Sequence, residues 1–323
     1  MIKKYEYRCV DKSLLTPFFR AYIAAPTLKL IPISIHPNLI TVVSFLFSLL
    51  GLYVSYFFER SFVSNAVIAV SIFSYLLFDC LDGMQAKRRG GGSPLGEFMD
   101  HFLDVLINGI ITFTLIFLFQ INNPVVVILM FSSNYLVQAV VFLAQRQSGW
   151  LHFGKVESLE AVLLLSMVIL LDGFDAVRNF LTIELFYNLR LIDWLFILSA
   201  ISGLKVLFES YSRIKTKIWP LIFPVLTLSL IIFFGYSDNN YLTLSLLITM
   251  AAVVIIQEYL IGHLTGQNKF LFEIWPIIAF VIGILTDRID ALLLASGLFG
   301  IVIVRFIITV NTLRKYNEEE ALD

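Results

Sequence analysis

Between residues 79 and 104 the chain carries four aspartates at fixed intervals, Asp79-x-x-Asp82-Gly83-x-x-Ala86-Lys87 and then Gly96-x-x-x-Asp100-x-x-x-Asp104. The flanking sequence is strongly apolar, and a carboxylate inside a membrane-spanning helix costs about 2.5–3.5 kcal/mol on insertion scales. Four such groups together must be offset by something bound. Clustered carboxylate oxygens suit hard divalent cations, and two metal ions held by aspartates suit phosphoryl transfer. Residues three, four and seven apart share a helix face. Asp79, Asp82, Gly83 and Ala86 therefore form one stripe, and Glu97, Asp100 and Asp104 a second. Between them the run from Lys87 to Leu95, with three consecutive glycines, is a loop by composition. Ser93 and Pro94 form an N-cap and a first-turn proline for the second helix. The two stripes are predicted to face each other across a tight helical hairpin.

The residues between the acids fit the same chemistry. Gly83 and Ala86 remove bulk beside the carboxylates, so a diphosphate can approach the backbone. Lys87 and Arg88 can neutralise its phosphates, and metal and cation together draw charge off a leaving nucleotide phosphate. One carboxylate can be spared as general base for an attacking hydroxyl. Asp104, deepest in its helix, is one candidate. His101, adjacent to Asp100 and four residues from Glu97, is the other. A purely structural ion-pair network would have only Lys87, Arg88 and Arg89 nearby to balance the acids. Glu97 is either a first-turn residue favoured by the helix dipole or part of the site. Glu160 lies inside an apolar run, which favours a headgroup or metal role over a structural one.

The elements that position these residues are membrane helices. The chain has 323 residues, of which 59% are hydrophobic and only 15% charged, against about 25% charged in a soluble domain. Mean hydropathy is +0.86. The fold class is all-α: a polytopic integral membrane protein with about ten transmembrane helices. Windows of about 20 apolar residues place spans at Pro37–Phe58, Phe62–Leu81, Glu97–Gln120, Pro124–Ala144, Glu157–Leu171, Leu191–Ser212, Trp219–Tyr236, Tyr241–Leu260, Phe270–Leu285 and Ala291–Leu313. Ahead of them, Lys12–Ile31 reads as an amphipathic helix on the membrane surface, broken at Pro26 and Pro32. Within the spans, Lys205 and Glu209 are expected to pair, and Arg305 has no evident partner. No apolar leader core is seen at the N-terminus. Two cysteines, Cys9 and Cys80, are too few for a disulfide framework or a zinc cluster. The net charge of −1 names no partner, and no nucleic acid is expected. Lysines and arginines gather on one side of this topology, including the loop of Lys87, Arg88 and Arg89. That side is cytoplasmic by the positive-inside rule, so the acidic site is expected to open to the cytoplasm.

The segment from Asp82 to Asp104, with Asp79 before it, resembles the CDP-alcohol phosphotransferase signature Asp-Gly-x₂-Ala-Arg-x₈-Gly-x₃-Asp-x₃-Asp. Lys87 departs from it, keeping the charge of the usual arginine but losing its bidentate fork. The run from Ser93 through Leu95, Gly96 and Glu97 to Asp100-His101 is similar to the choline and ethanolamine phosphotransferases of that family. Similarity continues in Val10–Leu15, Pro37–Thr41, Phe153-Gly154 with Glu160, and Ile261–Thr265.

The resemblance implies a division into an N-terminal segment (1–36), a six-helix catalytic core (37–212) and four further helices (213–323) forming lipid-site and dimer surface, together one functional domain. It implies two ions, Mg²⁺ or Mn²⁺, held by Asp79, Asp82 and Asp100, with Asp104 as ligand or base and His101 as the competing base. Asn38, Gly83, Ala86, Lys87, Arg88, Gly96, Glu97 and Glu160 would line the substrate site. The implied reaction carries phosphoethanolamine or phosphocholine from CDP-ethanolamine or CDP-choline to diacylglycerol, in a homodimer among membrane lipids. The alternatives are a family member that uses CDP-diacylglycerol with a polar alcohol acceptor and, from another class, a divalent-cation transporter.

Overall fold

The computed structural model describes residues 5, 7–154, 158–214, 241–266 and 291–322. The chain is an all-α polytopic membrane protein. Its helices are α1 (residues 16–28), α2 (Pro37–Phe57), α3 (Phe62–Arg88), α4 (Pro94–Phe119), α5 (Pro124–Ser148), α6 (Ser158–Asp172), α7 (Asp175–Leu181), α8 (Leu191–Tyr211), α9 (Tyr241–Thr265) and α10 (Ala291–Leu322). Two three-residue strands, β1 (Cys9–Asp11) and β2 (Leu151–Phe153), and a 3-10 turn at Phe186–Asn188 complete the described elements.

Among the described residues, seven helices are long and apolar enough to cross a membrane: α2, α3, α4, α5, α8, α9 and residues Leu293–Arg314 of α10. The predicted fifth span is the 15-residue helix α6, shorter than the about 20 residues of a full crossing. The predicted spans Trp219–Tyr236 and Phe270–Leu285 lie outside the described residues.

Two compact units divide the chain. One comprises residues 4–121 and 153–196, and the other residues 1–3, 122–152 and 197–323. The first unit holds every aspartate of the sequence motif. Within it α2 packs along both α3 and α4, and α6 packs along α3. Close approach of α2 to α3 follows from small residues on one face of α2. Ser44, Ser48 and Gly51 are buried there, Ser44 Oγ donates to the Tyr75 carbonyl at 3.1 Å, and a Cβ on Gly51 would lie 3.6 Å from Ser71 Cβ. Small residues and short interhelical hydrogen bonds replace the hydrophobic drive that lipid removes.

The predicted tight hairpin is corrected in one respect. The helices α3 and α4 do not pack closely along their lengths. Each is anchored on α2 instead, because the facing stripes are lined by carboxylates that cannot interdigitate as apolar side chains do. The connecting loop turns through Gly90 (φ 108°) and Gly91 (φ 131°), conformations that a side chain would strain.

A second correction concerns Pro26. The predicted break does not occur: Thr16–Phe19, Arg20–Ala24 and Ala25–Leu28 run on as one helix, α1, with Arg20–Ala24 wound as a wider π turn. The wider turn accommodates a residue that has no N–H to donate.

The end of α3 remote from the aspartates is locked to α6. Arg60 pairs with Asp172, its Nε donating to Oδ2 at 2.7 Å. Asn65 Nδ2 donates to the same Oδ2 and to the Ile169 carbonyl, both at 2.8 Å. Arg190 donates to the Phe119 and Gln120 carbonyls at 2.9 and 3.1 Å, closing the end of α4.

In the second unit α9 packs against α5 and α10 and is buried along nearly its whole length. Arg305 on α10 is not isolated, as its sequence position suggested. It pairs with Glu258 on α9, which is 5% exposed. Lys205 and Glu209 lie 4.0 Å apart on α8, as their spacing predicted.

Candidate active site

Three of the predicted ligands converge. One carboxylate oxygen from each of Asp79, Asp82 and Asp100 lies within 4.8 Å of the other two. Asp79 and Asp82 come from α3 and Asp100 from α4, so the group bridges the gap between the two helices. Asp104, one turn further along α4, accepts a hydrogen bond from Tyr75 Oη at 3.4 Å and interacts electrostatically with Asp79. Asp82 is only 6% exposed and accepts a 2.6 Å hydrogen bond from Thr41 Oγ1 of α2. Oδ1 of Asp100 is buried and has no hydrogen-bond partner among the described residues.

These features fit a bound dication. Carboxylates this close repel one another unless a positive charge lies among them or protons are taken up. The donor set is all oxygen, as Mg²⁺ and Mn²⁺ prefer. A buried carboxylate oxygen left without a donor is costly, and Asp100 Oδ1 is available as a ligand. Arg20 of α1 acts electrostatically on Asp79, but its side chain is half exposed and faces Asp11 at 3.8 Å. One screened guanidinium does not balance four acids.

The predicted substrate residues fall into three groups. Gly83 faces open space, with nothing within 4 Å of an added Cβ, and Lys87 is exposed one turn on. Ala86 is partly exposed beside them. Asn38 and Gly96 meet where α2 and α4 begin: a Cβ on Gly96 would lie 3.3 Å from Ser93 Oγ and 3.6 Å from Asn38 Oδ1. Glycine therefore permits the two helix starts to approach. Ser93 caps α4 as predicted, accepting from the Gly96 N–H at 3.0 Å with Pro94 in the first turn. Arg88 is engaged elsewhere, donating to the Leu28 and Ile31 carbonyls at 3.2 and 2.9 Å. Arg89 likewise donates to Ile33 and Ser34 at 2.7 and 3.0 Å. Together with Gln85, whose Nε2 donates to Pro32 and Ile35 at 3.0 and 2.9 Å, they fasten the end of α3 to the α1–α2 connection.

His101 is 4% exposed and Glu97 is 7% exposed. Glu97 Oε1 lies 3.8 Å from His101 Nδ1, and Tyr7 Oη lies 3.4 Å from Nε2. Glu160 Oε1 accepts from Ser13 Oγ at 2.5 Å and from the Leu15 N–H at 3.1 Å, tying α6 to the N-terminal segment. His36, ahead of α2, accepts from the Asn38 N–H through Nδ1 at 3.2 Å. Burial, then the charge of Arg89, pulls its pKa below the usual histidine value, which keeps that lone pair free to cap the helix.

Sequence reasoning did not single out Thr41, Tyr75 or Tyr7. Tyr75 carried a usable signal, since it stands four residues before Asp79 on the same helical stripe. Thr41 was visible only as part of Pro37–Thr41, and nothing local marks Tyr7.

Residues 34–189 match the family model described as CDP-alcohol phosphatidyltransferase. Among characterised proteins the chain is similar to choline/ethanolaminephosphotransferase 2 of Arabidopsis thaliana, 33% identical over 116 residues, covering 32% of this chain and 28% of that protein. It is 31% identical to cholinephosphotransferase 1 of Saccharomyces cerevisiae over 114 residues, again 32% and 28% of the two chains. The match to cholinephosphotransferase 1 of Mus musculus is 28% over 188 residues, covering 54% of this chain and 45% of the relative. The chain thus spans less than half the length of these relatives.

Proposed function

We propose that this chain, whose residues 34–189 match the CDP-alcohol phosphatidyltransferase family model, transfers phosphoethanolamine or phosphocholine from a CDP-alcohol to the hydroxyl of diacylglycerol. The products are phospholipid and CMP. The observation that carries this proposal is the convergence of Asp79, Asp82 and Asp100 from two helices within 4.8 Å, inside otherwise apolar spans.

Asp79, Asp82 and Asp100 would hold the divalent ions, with Asp104 as a further ligand or as base. Bound Mg²⁺ or Mn²⁺ supplies positive charge that draws electron density from the transferring phosphate. Thr41 orients the Asp82 carboxylate through its hydroxyl. Gly83 and Ala86 leave the donor diphosphate room to lie along α3, and Lys87 meets its charge. Asn38 and Gly96 border the same opening, Glu97 orients His101, and Glu160 holds the N-terminal segment beside the lipid end of the site. The acceptor oxygen attacks the β-phosphorus as the bond from that phosphorus to the bridging oxygen breaks. CMP departs with the bridging oxygen, and the hydroxyl proton passes to Asp104 or His101. Residues 37–212 form the catalytic core behind the segment 1–36, and residues 213–323 supply lipid-facing and dimer surface. The site faces the cytoplasm, where nucleotide donors are.

The test is a donor panel. Radiolabel transfer to diacylglycerol is measured from CDP-ethanolamine and CDP-choline, and transfer from CDP-diacylglycerol to polar alcohols is measured in parallel, each with and without Mg²⁺ or Mn²⁺. Metal-dependent CMP release with either of the first two donors supports the proposal. Activity with CDP-diacylglycerol alone, or ion flux without CMP release, overturns it.

A further inference from the structure

Described residues of the segment before α1 make contacts at three places around the acidic site: the loop between α3 and α4, His101 on α4, and α6. The Tyr5 ring lies 3.9 Å from a Cβ built on Gly92, in the loop between α3 and α4. Tyr7 Oη reaches His101 Nε2 at 3.4 Å, with ring centroids 5.7 Å apart at 58°. Ser13 and Leu15 are anchored on Glu160 of α6, and Ser13 Oγ in turn accepts from the Thr16 N–H at 3.0 Å, joining the anchor to the start of α1.

These contacts fix what Tyr7 can do. Glu97 Oε1 lies 3.8 Å from Nδ1, too far for a hydrogen bond, but its charge on that edge of the imidazole favours the proton there, which makes Nε2 the acceptor. The Tyr7 hydroxyl is then the donor. Burial, followed by the neighbouring Cys9 and Asp100, raises the phenol pKa well above its usual value, which keeps the proton on oxygen. The residue as a whole is 41% exposed, while its hydroxyl sits against the buried His101 ring.

We infer that Tyr7 is a positioning residue for headgroup transfer: its hydroxyl, delivered by the N-terminal segment and held by the Glu160 anchor, fixes the orientation of the His101 ring inside the site. This rests on the function proposed above. An imidazole one residue from Asp100 that could rotate freely would present the wrong edge to the acceptor much of the time, and misplacement on the scale of an ångström costs turnover more than binding.

The experiment pairs kinetics with a readout that needs no turnover. Tyr7→Phe keeps the ring and removes the donor. It is expected to lower kcat by about tenfold, the scale of one hydrogen bond, with KM for the CDP-alcohol changed by less than about twofold. In a His101→Asn background the same substitution is expected to cost nothing further, because the two act as one unit. In nitrogen-15 spectra of histidine-labelled protein, the His101 ring signals, identified by their loss in His101→Asn, should move in Tyr7→Phe and stay in place in Tyr5→Phe. Unmoved His101 signals in Tyr7→Phe overturn the inference, as does a Tyr7→Phe loss of equal size with and without His101. Should the wild-type protein transfer no headgroup, the proposed function falls, while the spectra still decide the role of Tyr7.

Discussion

Thr41→Val isolates the contribution of α2 to the acidic site. Thr41 and Asp82 are 5% and 6% exposed, so water cannot replace the 2.6 Å hydrogen bond between them. The hydroxyl also approaches the Pro37 carbonyl, but at 3.3 Å, and its one proton is better used on the carboxylate. Valine keeps the shape and removes the donor. A hydrogen bond to a charged group contributes about 1.5–3 kcal/mol, equal to about ten- to hundredfold in an equilibrium constant. Since the bond orients an expected ligand, the loss should appear as a rise of that order in the Mn²⁺ concentration needed for half-maximal transfer. The assay is label transfer from the preferred CDP-alcohol across a Mn²⁺ titration, with thermal unfolding in detergent as a check on folding. Thr41→Ser should restore the wild-type curve. An unchanged metal requirement in Thr41→Val would refute the orienting role.

Other expectations follow from the same geometry. Asp82→Asn and Asp100→Asn should each abolish transfer while leaving the unfolding temperature near that of the wild type, and near-normal transfer in either removes that residue from the ligand set. His101→Ala compared with Asp104→Asn across pH identifies the base; a His101 variant that keeps most of its rate throughout excludes the histidine. Gly96→Val should raise KM for the donor by pressing a branched side chain on Ser93 Oγ and Asn38, 3.3 and 3.6 Å from the Cβ position, and an unchanged KM would show that the helix starts can separate freely. Arg305→Met should destabilise the protein, because it removes the guanidinium that pairs with the buried Glu258 of α9. Calorimetry of the solubilised variant reads this directly, and an unshifted transition would assign the pair no structural weight.

The acidic site was legible in the sequence to the extent that its parts are local. Helical periodicity put Asp79 with Asp82 and Asp100 with Asp104, and the Ser93-Pro94 pair marked the start of α4 correctly. Periodicity names a face but not the neighbour it meets. The tight hairpin was therefore overdrawn, since α3 and α4 each pack on α2 and leave room between them. Thr41 is 41 residues from Asp82 and Arg305 is 47 from Glu258, and no local pattern announces such pairs. The positive cluster after α3 illustrates a different limit. Lys87, Arg88 and Arg89 are equivalent by charge, yet Arg88 and Arg89 spend hydrogen bonds on backbone carbonyls of the α1–α2 connection while Lys87 stays exposed. The π turn that carries α1 past Pro26 was likewise hidden, because the proline rule concerns the α-helical hydrogen bond and not the wider turn that can bypass it.

Ion density among the aspartates would decide the matter most directly. A structure of the protein in lipid with Mn²⁺ and a CDP-alcohol should place metal ions between Asp79, Asp82 and Asp100, with the donor diphosphate against Gly83 and Ala86. Nucleotide bound away from these side chains, with their carboxylates turned apart and no metal between them, would contradict it.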